Sequence, residues 1–437
     1  MVVSKDKLLN SLFILIPFSL CLSTFLAEII SLIFTIMVFF FVLKKRYFVS
    51  IDKKFFLFLF LFHIIIFISS SLNPYPDLML KGFGYIRFLF LYFVLLIFLI
   101  NTDFSDSKNI AKVAFLLFFL VLFDAFIQFF FGKNFLGFEN TGNRITGIFK
   151  DEGILGSFVI RFLPILLWFM TIANFNFQKN KNLFSFLLFF SLMVIYISAG
   201  RNAFFSSIIF SLVLLVFLSQ LRKNILITLS LFLISIILIN TFNIGKINPA
   251  NRIFLKTFNQ ITDHKFHNKK TLPFKSNDKK YEIYVFGEAY HNNYKLALHL
   301  FENNFVKGVG VRGFRAYCRM QKYDSKIGYC STHPHNTFLQ IASELGLMGL
   351  TFYFIFLIFF LKQCYLFLLN KHKLDEKKVF LISISISSIF INFFPLAPAP
   401  NFFSGWNSYY YYFTLVLFIF SIRDLQNIRN TKFKNNL

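Results

Sequence analysis

Charge is scarce in this 437-residue chain: 15% of residues are Asp, Glu, Lys or Arg, against about 25% in soluble globular proteins. Acidic residues are rarer still, 20 Asp and Glu against 45 Lys and Arg. Apolar residues take the place of the missing charge, at 57% with a mean hydropathy of +0.64, where soluble chains hold about 45–50%. A soluble enzyme is therefore excluded. The charges are also missing in blocks. None occurs from Val379 to Ile422, and Arg161 alone interrupts the stretch from Ile154 to Thr171. Runs of about 20 uncharged, apolar residues are the signature of membrane-spanning helices. Also missing are a phosphate-binding P-loop or glycine-rich nucleotide motif, any nucleic-acid-binding motif and any internal repeat. The net charge of +25 then points away from nucleic acid and toward topology signals plus one basic polar loop. The 71 phenylalanines read as filler of lipid-facing positions.

Twelve spans are predicted, at roughly 8–26, 27–43, 55–72, 85–101, 111–131, 153–173, 183–199, 202–219, 224–242, 338–361, 379–396 and 407–422. The fold class is thus an all-α polytopic membrane protein. Lys and Arg in short loops set orientation. Placing the N-terminus in the cytoplasm puts Lys44, Lys45, Arg46, Lys53, Lys54, Arg222, Lys223, Lys371, Lys373, Lys377, Lys378 and the tail from Arg423 inside. Only Lys81, Lys133, Arg144, Lys150 and Arg201 are then left on short outer loops. Both termini are expected in the cytoplasm and no cleavable signal peptide is expected.

The polar stretch 243–337 divides the chain into a membrane region 1–242, an outer loop domain 243–337 and a second membrane region 338–437. Long loops cross regardless of charge, and a small helical or irregular cap over a lipid-open cleft is expected here. Lys and Arg far outnumber Asp and Glu in this loop. Its field therefore suits anionic lipid headgroups or phosphate-bearing substrates. Of four cysteines, Cys21 and Cys364 fall in or beside helices and read as buried apolar groups. Cys318 and Cys330 share the outer loop, where an oxidising compartment favours a disulfide. A metal site with His333 and His335 is the rival reading, and it lacks a regular ligand spacing.

Charges in or near spans (Glu28, Arg87, Asp124 and Arg161) are either functional or internally paired. A stronger signal is Cys330-Ser-Thr-His333-Pro-His335-Asn336-Thr-Phe-Leu-Gln340, running into Glu344-Leu-Gly346-Leu-Met-Gly349. It places two histidines where the loop re-enters the membrane, around a backbone stiffened by Pro334. Asn336 or Thr337 is suited to cap the next helix. A helix start favours neutral imidazole, the form a general base requires. The alternative is a polar cap on a membrane helix.

His335-Asn336, nine residues, then Gly346-x-x-Gly349 resembles the signature of the O-antigen ligase and O-antigen polymerase superfamily. Further pieces follow in order. Asn143-Arg144-Ile-Thr-Gly147-Ile-Phe149 with Asp151-Glu152 and Gly156-Ser157 resembles its R-x-x-G-x-F segment. Ser198-Ala-Gly200-Arg201 resembles its short outer turn bearing an arginine, and Gly308-Val-Gly310 with Phe314-Arg315 its G-x-G segment. By motif the resemblance covers about residues 130–350. It implies a metal-independent membrane glycosyltransferase of the bacterial inner membrane that uses neither nucleotide nor ATP. The donor would be a glycan on undecaprenyl diphosphate at the periplasmic face. The acceptor would be a sugar hydroxyl of lipid A–core or of another lipid-linked repeat, in lipopolysaccharide biosynthesis.

In that chemistry arginine stabilises the departing diphosphate through bidentate contacts. Arg201 is the first candidate and Arg144 the second. His335 would take the acceptor proton, and attack opposite the diphosphate would invert the anomeric carbon. Asn336 either orients the imidazole or caps the helix, and His333 supports. The family's arginine inside the large loop is sought at Arg312 or Arg315, with His291 near where it should fall. Gly308 and Gly310 are expected to allow a tight turn. A ligase is the reading adopted and a polymerase the alternative. A protein acceptor is less favoured, because no soluble domain is expected after the twelfth span. A lipid-linked glycan transporter would show repeats or broken helices in matching halves. A non-catalytic assembly subunit would tolerate loss of His335.

Overall fold

The computed structural model describes residues 2–49, 53–72, 76–262, 288–323, 331–395 and 400–434. Among these residues the regular elements are all helices, and Lys133 and Glu139 form an isolated β-bridge. The helices are α1 (Val2–Ser19), α2 (Thr24–Leu43), α3 (Lys53–Ser71), α4 (Pro76–Gly84), α5 (Arg87–Asn101), α6 (Lys108–Phe131), α7 (Leu155–Ile172), α8 (Lys181–Ile197), α9 (Arg201–Phe217), α10 (Arg222–Thr241), α11 (Lys256–Thr262), α12 (Glu288–Asn303), α13 (Gly313–Tyr323), α14 (Thr337–Asn370), α15 (Glu376–Phe393) and α16 (Gly405–Lys434).

Seven helical stretches are long and apolar enough to cross a membrane: Thr24–Leu43, Lys53–Ser71, Asp77–Asn101, Ser105–Phe131, Leu155–Ile172, Ser219–Thr241 and Thr337–Lys373. Three shorter apolar helices, Lys7–Ser19, Lys181–Ile197 and Arg201–Phe217, accompany them. The chain is a multi-pass helical membrane protein. Each of the twelve expected segments overlaps a helix, with shifted ends. The first break falls at residues 20–23 rather than at 26, because Ser23 caps α2 and accepts from the Leu26 amide at 3.0 Å. The stretch expected as an outer loop carries helices α11, α12 and α13.

α7 is the central pillar, buried on almost all sides, whereas α2 and α10 expose most of their apolar surface. α15 packs against α7, α9 and α16, and α16 against α5. Four buried serines on α15 (Ser383, Ser385, Ser387 and Ser388) keep those crossings close. Their hydroxyls are satisfied by carbonyls one turn back or by neighbouring helices. Ser388 pairs with Thr414 at 2.9 Å, and Ser385 pairs with Ser421, which also accepts from Trp168 Nε1. The run Tyr409–Tyr412 spreads over the faces of α16, since successive helical residues turn by about 100°. Tyr409 pairs with Ser31, Tyr410 donates to the Pro17 carbonyl and Tyr412 pairs with His63. Arg161, an intramembrane suspect, is buried at 3% exposure and bonded to Asn392 Oδ1 and the Ser157 carbonyl. It ties α7 to α15.

Candidate active site

The site begins at the N-terminus of α14. Asn336 is the N-cap in extended conformation. Its Oδ1 accepts from the Leu339 amide at 3.0 Å while its Nδ2 donates to the Pro395 carbonyl. Its side chain is thus occupied in capping and in docking the end of α15. His335 precedes it at φ 60°, a left-handed conformation that costs a non-glycine residue roughly 1 kcal/mol or more. Rigid neighbours hold that bend. Pro334 restricts the preceding backbone, and the His333 ring lies 4.0 Å from that of His335. His335 Nε2 is 3.0 Å from Ser331 Oγ, and Tyr290 of α12 meets the His335 ring edge-on at 5.4 Å. Burial holds the His335 imidazole below its ordinary range, so the neutral, proton-accepting form prevails at neutral pH. His333 is buried, with Thr332 Oγ1 at 2.9 Å from Nδ1.

Tyr290 also faces a cluster of arginines. It interacts electrostatically with Arg144 and with Arg252, and each of those two with Arg201. Three loops deliver the cluster. Arg144 comes from the segment after α6, which two α6 side chains fasten. Asp124 accepts from the Phe135 amide and from Asn134 Nδ2. Gln128 Oε1 accepts from the Thr146 and Gly147 amides, and Gln128 Nε2 donates to the Phe138 carbonyl. Asp124, read as a suspect charge, is therefore an anchor of this loop. Gly147 turns the chain at φ 55°, and Gly153 leaves room for the Arg144 guanidinium, which a Cβ there would meet at 2.1 Å.

Arg201 opens α9 after a turn with Ala199 at φ 53°. Gly156 of α7 packs against that turn, a Cβ there meeting Ser198 Oγ at 2.4 Å. Arg252 lies in the π-turn Asn251–Leu255, and its Nε donates to the Ala199 carbonyl at 3.1 Å. Thr257 of α11 approaches Arg201 Nη1 at 3.4 Å. Burial and the two neighbouring guanidinium groups pull Arg252 down to about 10, and burial followed by Arg201 lowers Arg144. Arg144 Nε is buried and makes no hydrogen bond among the described residues. Three like charges that repel one another, one with a buried free donor, form a seat for an anion.

Arg252 was absent from the sequence candidates. Its only signal was an arginine a few residues beyond a span, in a Lys- and Asn-rich stretch where basic residues are common. The residues considered for that role take different places. Arg312 lines a separate cavity with Lys81 and Arg87. Arg315 is exposed on α13, and His291 is half-buried on α12 beside Tyr290. Cys318 is buried on α13 and disulfide-bonded, and Cys330 lies outside the described residues.

The two glycine motifs meet one another. α14 is broken at Gly346 (φ 65°, ψ −157°), and residues 305–310 run through the break. Val309 N donates to the Ser343 carbonyl, Gly310 N to the Glu344 carbonyl, and Leu347 N to the Phe305 carbonyl, all at 2.7–2.9 Å. A Cβ on Gly308 would lie 2.4 Å from the Glu344 carbonyl carbon, and one on Gly310 3.0 Å from Ser70 Cα. The expected tight turn is thus a crossing of two backbones, which explains the glycines without any ligand.

Residues 186–354 match the family model described as O-antigen ligase. That segment is similar to O-antigen ligases. No curated protein matches the chain. The O-antigen ligase segment runs from within α8 into α14, taking in Arg201, Arg252, Tyr290, the Gly308–Gly346 crossing and His335. Arg144 lies outside it and is brought in by the fold. The similarity of this segment supports a function of the O-antigen ligase or polymerase type in general.

Proposed function

We propose that the chain is an O-antigen ligase of the bacterial inner membrane. It would transfer a glycan from undecaprenyl diphosphate to a sugar hydroxyl of lipid A–core at the periplasmic face, without metal or ATP. The observation that carries this reading is the convergence of His335, Arg144 and Arg252 on Tyr290, with Arg201 beside both arginines. Arg144, Arg201 and Arg252 hold the donor diphosphate. The acceptor oxygen attacks the anomeric carbon as its proton passes to the neutral His335 imidazole. The bond from that carbon to the diphosphate oxygen breaks, and undecaprenyl diphosphate leaves as an anion among the guanidinium groups. Attack from the face opposite the leaving group inverts the anomeric carbon.

In this reading the twelve helical segments all cross, both termini are cytoplasmic, and residues 243–337 form a periplasmic cap between membrane regions 1–242 and 338–437. Joining of lipid-linked repeats by a polymerase uses the same groups and differs only in the acceptor.

Complementation in two strains, one lacking its ligase and one its polymerase, tests the proposal, with His335→Ala run beside wild type. Extracted lipopolysaccharide is read on a gel. Long glycan restored on lipid A–core in the ligase-null strain and lost with His335→Ala is the expected result. Rescue confined to the polymerase-null strain moves the reading to a polymerase. Rescue by His335→Ala overturns the general-base role.

A further inference from the structure

A second basic cavity lies away from the arginine cluster. It encloses about 360 Å³ and is lined by Lys81 of α4, Arg87 at the start of α5, Arg312 of the segment before α13, Tyr85, Phe403 and one carboxylate, Asp77. Arg87 is held in place by the Gly84 carbonyl (2.8 Å), by Glu28 (3.1 Å) and by the Phe88 ring (4.7 Å). Arg312 is fixed by its left-handed backbone at φ 62°, and its charge is felt by the buried Glu344 of α14. Among the described residues neither Lys81 nor Arg312 forms a salt bridge. Three cations from three separate elements therefore face one concave space, and among the described residues Arg87 is the one of the three in a salt bridge.

Beside it lies an apolar cavity of about 50 Å³ between α3, α14 and α16, lined by Phe58, Phe62, Tyr353 and Tyr411 among others. Tyr85 lines both cavities. A charged compartment and an oily one that share a wall suit an amphiphile with an anionic head and an apolar tail. α14 connects this place to the proposed base. Its residue Gln340 donates to Asn401 Oδ1 and accepts from the Phe402 amide, both at 2.8 Å, next to Phe403 in the cavity wall. His335 stands at the head of the same helix, about 7 Å along the axis from Gln340 at 1.5 Å per residue.

We propose that the Lys81–Arg87–Arg312 cavity binds the phosphate of a membrane-anchored phosphoglycolipid, and that this lipid is the acceptor in the transfer proposed above. The acceptor assignment rests on that reading, whereas the phosphate site stands on the cavity itself. Two separate anion sites would then hold donor and acceptor independently.

The test is calorimetric titration of purified full-length protein in neutral detergent, in an Arg144→Gln/Arg201→Gln background that isolates the second cavity. The probes are a short-chain phosphatidic acid, the matching phosphate-free diacylglycerol and inorganic phosphate. Phosphatidic acid is expected to bind at least tenfold more tightly than either other probe. Lys81→Gln with Arg312→Gln is expected to weaken it at least tenfold, and Lys81→Arg with Arg312→Lys to retain it. Leu80→Glu, on an exposed side chain of the cavity rim, adds a repelling carboxylate without disturbing the core and is also expected to weaken binding.

Unchanged affinity in both the Gln pair and Leu80→Glu overturns the site. Inorganic phosphate binding as tightly as phosphatidic acid overturns the lipid-anchored ligand. In a transfer assay with otherwise wild-type arginines, Lys81→Gln/Arg312→Gln is expected to raise the acceptor KM and leave the donor KM in place. A raised donor KM instead overturns the acceptor assignment. These titrations need no turnover, so failure of the transfer reading, seen with His335→Ala, is separable from failure of the cavity.

Discussion

Gly346 and Gly308 stand where two backbones cross: a Cβ built on Gly346 would lie 2.6 Å from the Gly308 amide nitrogen and 2.5 Å from the Val306 carbonyl oxygen, and one built on Gly308 would lie 2.5 Å from the Leu345 amide nitrogen. Both residues are at positive φ, 65° and 67°. Neither backbone can retreat, because the hydrogen bonds from Val309, Gly310 and Leu347 tie them together. Gly346→Ala or Gly308→Ala is expected to destabilise the protein by about 2–4 kcal/mol, from overpacking plus left-handed strain. Thermal unfolding in detergent checks this. Gly137→Ala, at an open turn with no atom within 4 Å, is the control, and only its backbone strain should register.

Removal of Arg252 should act on turnover more than on folding. It is half-buried in a loop and holds one carbonyl, while its charge completes the anion seat. Arg252→Gln is expected to lower transfer on the order of 10²-fold, the scale of losing one preorganised charge-stabilising donor. Arg252→Lys should recover only part, since an ammonium lacks the bidentate fork. Single-turnover rates with a lipid-linked donor decide it. A change below twofold would remove Arg252 from the site.

Acid should inactivate the enzyme later than a free imidazole would suggest. Burial disfavours protonated His335, so the base stays neutral as the pH falls below the ordinary value of about 6.5. The acid limb of the rate profile is therefore expected to have its midpoint below that value. For stability the sign is the same. A depressed folded value means that protons bind the unfolded chain more readily, so stability is full above the unfolded value and declines as pH falls. A pH–rate profile with an acid midpoint above 6.5 would contradict the assignment.

Asp124 and Gln128 act at a distance from chemistry. Gln128→Ala leaves the buried Thr146 and Gly147 amides without their acceptor, at a cost of about 1–3 kcal/mol, and frees the segment bearing Arg144. The expected result is a higher donor KM with little change in kcat, together with a lower melting temperature. Protease nicking between Lys133 and Arg144 should speed up. Unaltered donor KM would show that this loop does not position the arginine.

Asn336 separates capping from chemistry. Asn336→Ala should cost about 1 kcal/mol of stability and release the Pro395 carbonyl. Asn336→Asp keeps the acceptor that bonds Leu339 and should restore most stability while still losing the Pro395 contact. Equal melting temperatures for all three proteins would refute the cap.

The site was legible where function imposed unusual residues on a monotonous background. His335-Asn336 stood out because a membrane chain has little reason to place histidines at a helix entry. Arg144 and Arg201 stood out because the short loops read as outer carry little positive charge. Arg252 did not, since one more basic residue in a basic loop carries no contrast. Asp124 looked like a functional charge because the groups it serves, the Phe135 amide and the Asn134 side chain in the turn after α6, come from residues that read as ordinary loop. The glycine pairs were visible as motifs, but their meaning depended on two segments about forty residues apart crossing within van der Waals distance.

The chain's pattern of missing charge determined the helical, membrane-embedded class by itself, since an uncharged apolar run has no other low-energy arrangement in lipid. Its motif order pointed to the superfamily. Tertiary structure alone decided which cations share a seat. Charges meet through the packing of helices remote in sequence, and that packing is set by shape and small-residue contacts such as the α15 serines. It placed Arg252 beside Arg144 and turned Arg312 toward Lys81 and Arg87, because a loop's side chains go where its backbone is pinned, here by the break at Gly346.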